Sequence, residues 1–434
     1  MSEGLRRAGL NFSKLLSGKA VGAALSVVYL AIAARELGAE GFGILALMHG
    51  VIQFLGGVVA FSGWQTLVRF GQQPLRDNDM GALRSIFRFT ATIELALAAV
   101  AITLAFILLP LAAREGGWGA TAEAYAPLYA FTILMAARQT PFGLLQLYRK
   151  FTWLGIHAAV MPIGRLIGTL VVLWLGLGLP GFLIAWMFAA VLEGVTLWAM
   201  ALWVLHKEGA GWPGLGRLKE TLARFPGIGR YAFVSNLDYT LVNVTPLAIP
   251  LLVGAVLGPA AAGLFTLAAR ATNALQQPAL LIGQSGFEVI ADYASRKRWR
   301  DLSVMLAKGA TYSVVAGLVI AAIFLASGDT VMALFGGPEF AAAGSILALV
   351  AIARALAMAQ PGLAAALAAL GRPGTSLAIN AGTGIIAIPA MVILMQRIGL
   401  DGAGYGMIGQ AIAATAMAAV AVSVLLKRRL ATQA

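Results

Sequence analysis

The sequence predicts an all-α membrane protein, with about twelve transmembrane helices in two pseudo-symmetric six-helix lobes and both termini in the cytoplasm. Three observations predict it. Hydrophobic residues fill 60% of the 434 positions and charged residues only 11%, where a soluble protein carries roughly a quarter. Basic residues fall on alternate sides of successive apolar runs. The second half of the chain also repeats landmarks of the first.

Taken in order, the apolar runs place helices at about 15–35, 42–68, 85–110, 124–147, 153–178 and 180–205. Six more follow at about 231–257, 260–287, 304–327, 340–369, 374–396 and 402–426. Residues 1–208 then form an N-terminal lobe and 231–434 a C-terminal lobe, joined by a cytoplasmic linker, 209–230, that holds Gly, Pro and several basic residues. Arg6 and Arg7 ahead of an apolar stretch ending Ala31-Ile32-Ala33 resemble a cleavable signal peptide. Removing that stretch would leave an odd helix count and spoil the charge alternation, so it is read as the first helix. The 51 glycines, in pairs such as Gly164/Gly168, suit close helix packing in lipid.

Orientation follows from the Lys and Arg residues. With the N-terminus inside, 24 of them lie on the cytoplasmic face, and only Arg35, Arg114 and Arg397 lie outside. The net charge of +13 is therefore a topology signal, which argues against nucleic acid as a partner.

The repeat is most visible where Leu37-Gly38-Ala39-Glu40-Gly41-Phe42-Gly43 corresponds to Leu257-Gly258-Pro259-Ala260-Ala261-Ala262-Gly263, 220 residues later. Pro141 and Pro361 keep the same separation, and Arg149 and Arg372 are 223 apart. Two six-helix halves share one orientation, so a pseudo-two-fold axis along the membrane normal is expected.

Enzyme signatures are scarce, and the chain is read as a non-enzyme with no cofactor and no metal. Cysteine is absent, and His49, His157 and His206 are scattered. No P-loop occurs. Asp77-Asn78-Asp79 has the spacing of a metal-bound nucleotide-sugar site, but in a short loop after Pro74 it reads as a solvated turn. The outer loops are too short for a folded domain.

The informative residues are charges within the spans. Arg138, Arg165, Arg270 and Arg354 each sit roughly 15–21 Å along their helices, near mid-bilayer. Glu94, Glu193 and Asp238 are their acidic counterparts. Such groups must face a bundle interior or a wet cavity. Two roles stand open: structural pairs, Arg165 with Glu193 and Arg138 with Glu94, or cationic contacts for an anion such as phosphate, which a guanidinium binds through two parallel hydrogen bonds. Arg138 and Arg354 are 216 apart, one turn from the repeat offset, so they are expected to face each other across the pseudo-axis. In the seventh helix Pro246 and Pro250 each remove a backbone donor, which predicts a bent, cavity-lining segment. Asp238 in the same helix is either a proton carrier or a hydrogen-bond partner of Arg270 or Tyr239. Asp238, Glu94 and Glu193 are the coupling candidates.

The run Leu16-Ser17-Gly18-Lys19 into Ala34-Arg35-Glu36-Leu37-Gly38, with Leu257 through Arg270, resembles the polysaccharide-biosynthesis or O-antigen (Wzx-type) flippases of the multidrug/oligosaccharidyl-lipid/polysaccharide exporter superfamily. The resemblance spans essentially the whole chain. It implies two lobes in a V around a cleft that opens alternately to each side. It also implies transfer of an undecaprenyl-pyrophosphate-linked oligosaccharide to the periplasmic leaflet of the bacterial inner membrane. Cavity cations, here Arg270 with Arg138, Arg165 and Arg354, would meet the pyrophosphate, and other polysaccharide-assembly membrane proteins are implied partners. Many relatives place a cation in the first helix, where only Lys19 is available. A cation-coupled multidrug exporter of the same fold is the alternative reading, weakened by the lack of an acid between Lys14 and Ala34. A membrane-embedded glycan polymerase or ligase is a third, for which no outer-loop constellation exists.

Overall fold

The computed structural model describes residues 3–59, 61–214, 218–273, 290, 293–294 and 296–431; of 3–20, 237–239, 241–245 and 373 it describes the backbone alone. Every regular element among these residues is helical. The first half holds α1 (Glu3–Val59), α2 (Gly63–Arg76), α3 (Met80–Glu115), α4 (Gly119–Tyr129), α5 (Gln139–Leu147), α6 (Phe151–His157), α7 (Val160–Leu175) and α8 (Gly178–Lys207). After α9 (Leu218–Arg224) come α10 (Ile228–Leu257) and α11 (259–273). The chain continues through α12 (Trp299–Gly336), α13 (Gly344–Ala357), α14 (Gln360–Ala369), α15 (Pro373–Ile398) and α16 (Asp401–Ala431).

Eight helical stretches among the described residues are long and apolar enough to cross a membrane. This is the all-helical membrane class expected from composition. Side-chain size is distributed as lipid demands. On α12 the large residues Val319, Ile323 and Leu325 face outward, while Gly317, Ala321 and Gly328 are buried. Lipid offers no hydrophobic gain for turning large side chains inward, so small residues go to the contacts.

Two compact units result. One comprises residues 1–37 and 47–247, the other 38–46 and 248–434. The 209–230 segment is fastened to the first unit. Ala210 and Ile228 join a core with Phe87, Leu144 and Leu205. The Arg84 guanidinium donates to the Ala210 carbonyl, Arg224 pairs with Asp79, and Arg69 lies 4.4 Å over the Tyr231 ring. These contacts carry the start of α10 into the first unit.

The repeat is written into the turns. Left-handed backbone recurs at Gly38 and Gly258, at Asn78 and Lys297, at Gly117 and Gly337, at Arg149 and Gly371, and at Gly176 and Gly399. The members of each pair lie 219 to 223 residues apart. Glycine serves most of these positions because it alone adopts that conformation without strain.

At the first pair the two copies pack on each other within the second unit. A Cβ on Gly43 would lie 1.8 Å from the Pro259 carbonyl oxygen, and one on Gly263 would lie 2.4 Å from the Ala39 carbonyl oxygen. Ala39 corresponds to Pro259 and Gly43 to Gly263, so each segment presents the same atoms to the other. Phe42 stacks edge-on against Phe340 at 6.0 Å, and Glu339 Oε2 accepts from the Ala39 N–H at 3.1 Å. The glycines here are a requirement of backbone contact, not of turn geometry.

Gly43→Ala and Gly263→Ala should therefore each cost at least the roughly 1–3 kcal/mol of an overpacked contact. Gly362→Ala, in a helix with open space where the Cβ would go, should be neutral or stabilising. Thermal unfolding in detergent, followed by size-exclusion chromatography, will rank the three.

Candidate functional site

The stretch expected as one helix over 124–147 is broken in the structure. After α4 a 3-10 turn, Ala130–Ala136, leads to a non-helical Ala137–Arg138 and then to α5. Pro141 is the local cause, since it has no N–H for the Ala137 carbonyl one turn back. That carbonyl instead accepts from the Trp198 indole N–H at 2.7 Å. The exposed start of α5 is closed from the other side: buried Glu94, on α3, accepts from the backbone N–H groups of Gln139 and Thr140 at 2.6 and 2.8 Å. A carboxylate at a helix N-terminus is favoured by both the hydrogen bonds and the helix dipole.

Arg138 sits on the break itself. Its side chain is 42% exposed and donates to Glu193 Oε1 on α8 at 3.1 Å. This corrects the structural alternative weighed from the sequence, in which Glu193 paired with Arg165 and Glu94 with Arg138. Glu193 belongs to Arg138 rather than Arg165, because the break swings Arg138 toward α8. Glu94 is occupied by backbone amides that the break exposes.

Arg165 has a different environment. On α7, Gly164 and Gly168 let α8 come close: Cβ atoms there would lie 3.1 and 2.7 Å from the Ala189 and Ala185 methyls. This brings the Arg165 guanidinium 4.3 Å over the Trp186 ring. Arg165 is only 4% exposed. It donates to the Tyr29 hydroxyl at 3.3 Å and to His49 Nε2 at 3.1 Å. Among the described residues no carboxylate forms an ion pair with it, so its charge is held by an aromatic face, a hydroxyl and an imidazole. Gln53 also donates to His49 Nε2, and His49 Nδ1 faces the Tyr129 hydroxyl, each at 3.1 Å.

The second unit carries the other two arginines. Arg354, half-buried on α13, donates to the Asn273 side-chain oxygen on α11. Arg270 lies one turn earlier on α11 and is exposed, and its charge acts on Arg354 as a like charge. Gln53 and Asn273 are 220 apart, so the repeat puts an amide at the same position in both units, against His49 in the first and Arg354 in the second.

The side chains of Lys19 and Asp238 lie outside the described residues. Pro246 and Pro250 stand in a helix, α10, whose helical assignment runs unbroken from Ile228 to Leu257. Near its start Asn236 Oδ1 accepts from the Ser62 N–H at 2.9 Å, closing the gap between α1 and α2. The residues that sequence reasoning passed over are His49, Tyr29, Trp186 and Asn273. The Gln53/Asn273 correspondence was the available signal for the last of them.

A family model described as polysaccharide biosynthesis protein matches residues 9–294. The chain belongs to that family. A relative in Escherichia coli K12, the inner membrane protein YghQ, is 26% identical over 332 residues, which cover 76% of this chain and 92% of the relative. Among solved structures, the inward-facing conformation of a multidrug resistance MATE family transporter of the MOP superfamily superposes with a TM-score of 0.77 at 14% identity, covering 97% of this chain and all of that one. The Vibrio cholerae MATE transporter VcmN in its bent form gives 0.57 at 15% identity, covering 97% of each chain. This member of the polysaccharide biosynthesis family thus has the fold of the MATE transporters.

Glu94 offers a direct test of the capped break. Glu94→Gln keeps one acceptor for two backbone donors and Glu94→Leu keeps none. Stability should fall in that order, by about 1–3 kcal/mol for each buried donor left unmet. Equal melting temperatures for the two variants would contradict the capping role.

Proposed function

We propose that this protein is a flippase that carries a polyprenyl-pyrophosphate-linked oligosaccharide, an O-antigen or exopolysaccharide repeat unit, across the bacterial inner membrane. It works by alternating access and hydrolyses no ATP. Membership of the polysaccharide biosynthesis family supports the glycan, and the transporter fold supports movement rather than catalysis.

The observation that carries the reading is Arg354 of the second unit, held by the Asn273 amide on α11. Arg270 and Arg354 act on each other as like charges, and Arg354 is hydrogen-bonded to a neutral amide rather than to a carboxylate. A guanidinium held by a neutral amide still gains from an anion, and a pyrophosphate presents paired oxygens to Arg354, with Arg270 one turn before its amide partner on α11. Arg138 and Arg165 are bound within the first unit by Glu193 and by His49 with Tyr29. The glycan would travel through water-filled space while the lipid tail stays in the bilayer, and other polysaccharide-assembly membrane proteins would act before and after.

Cation-coupled drug export on the same fold is the second reading, favoured by the multidrug transporters among its structural neighbours. Asp238 would then be the coupling acid. Drug efflux lost in Asp238→Asn, with glycan export intact, would decide for it.

Thin-layer analysis of lipid-linked sugars in a deletion strain tests the first reading. The strain should accumulate them on the cytoplasmic side. Wild type should clear them, and Arg354→Ala and Arg270→Ala should slow clearance roughly tenfold, the loss of one charge-assisted contact. Unchanged lipid-linked sugars in the deletion strain would reject the flippase.

A further inference from the structure

The Arg165 cluster contains a conflict that the transport reading above does not use. A guanidinium has only donors, so at 3.1 Å from Arg165 the Nε2 atom of His49 must be an acceptor. The second contact, from the Gln53 amide nitrogen, makes the same demand of the same atom. His49 is therefore neutral in this arrangement, with its proton on Nδ1, where the Tyr129 hydroxyl oxygen accepts it. A proton arriving at Nε2 would put an N–H against two donors and a positive imidazolium against a positive guanidinium, both buried.

Arg165 faces His49 from α7, Tyr129 from α4 and Gln53 from α1, while α8 presents the Trp186 ring at 5.5 Å. None of these is a carboxylate. The docked arrangement is also incompletely satisfied. Arg165 Nε and Trp186 Nε1 are buried without hydrogen-bond partners, so leaving it forfeits less than a fully bonded network would.

We propose that His49 and Arg165 form a proton-coupling site of this transporter, in which a proton on His49 Nε2 and a docked Arg165 exclude one another. The proposal rests on the reading of the chain as a transporter, whatever its substrate. Water supplies the proton, a new N–H bond forms at Nε2, and the imidazole becomes a cation. The guanidinium then leaves Trp186 and Tyr29, and α7 shifts with it. Loss of the proton to water lets Arg165 return. One titrating nitrogen thereby selects between two packings of the first unit.

The chain suits a direct test, because it contains only three histidines and no cysteine. Full-length protein with nitrogen-15 histidine, reconstituted in phospholipid vesicles, gives ring signals from which His49 is identified by comparison with His49→Gln. A lone thiol at Thr169→Cys, one turn beyond Arg165 on α7, reports movement of that helix. The site is fully buried and the Thr169 hydroxyl has no partner, so the exchange removes no hydrogen bond.

Between about pH 8 and pH 5 the His49 ring should pass from the neutral Nδ1–H form to the doubly protonated form. Labelling of Thr169→Cys by a maleimide, normalised at each pH to the denatured chain, should rise severalfold in step. In Arg165→Gln the neutral amide can turn its oxygen to a protonated His49, so the ring should still titrate while labelling stays flat. A His49 ring that remains neutral across the range with the fold intact would overturn the proposal, even if the thiol variant failed to fold. So would a ring that protonates without any change in labelling. If the ring and the thiol respond as expected but lipid-linked sugars are unaffected in cells, the glycan reading fails and the proton site stands.

Discussion

Backbone amides in hydrocarbon have no water to turn to, so every interruption of a helix must be closed by protein. This constraint organises the molecule. The chain interrupts its helices at Gly38, at Ser62 and at Ala137–Arg138, and each time a side chain from a remote segment supplies the missing partner. Glu339 receives the Ala39 amide, Asn236 the Ser62 amide, Glu94 the amides of Gln139 and Thr140, and Trp198 serves the Ala137 carbonyl. These bonds satisfy the breaks and also tie together helices that lipid alone would leave to weak packing forces.

The same economy governs the charges. Glu94 is consumed by a helix start, and Glu193 is left to Arg138. Arg165 is buried without either acid, beside an indole face and neutral acceptors. A cation over an aromatic ring gains about 0.5 to 2 kcal/mol, the upper figure when desolvated, which offsets only part of the cost of burying a charge. The remainder falls to the tyrosine and histidine, which is why the protonation state of one imidazole matters to the packing of four helices.

Much of this was legible in the sequence. Composition and charge placement gave the membrane class, and the 220-residue repeat anticipated turns such as Gly38 and Gly258, or Gly117 and Gly337. The Gly164/Gly168 pair marked close helix packing, which is that of α7 on α8. The partners were not legible. Glu94 is 45 residues from Gln139, Arg165 is 116 from His49, and Glu339 is 300 from Ala39. Pairing by opposite charge alone offered Glu193 to Arg165 as one alternative, because periodicity can place a carboxylate at mid-bilayer depth but cannot say that a broken helix will claim one first. Neutral acceptors such as His49 and Asn273 carry no such label at all.

Residues 38–46 belong to the first half of the chain yet pack in the second unit, against a segment centred on Gly263. During synthesis this turn emerges some 220 residues before its partner. At ribosomal rates of about 5–20 residues per second, that is a wait of roughly 11–44 seconds. For that interval α1 is in the membrane with its crossing surface bare, and Gly43 faces lipid or an insertion chaperone instead of the Pro259 carbonyl. Assembly of the second unit therefore cannot be completed by the second half alone. A truncated first half made by itself would carry a permanently exposed backbone contact, a feature by which membrane quality control could distinguish an unfinished chain from a finished one.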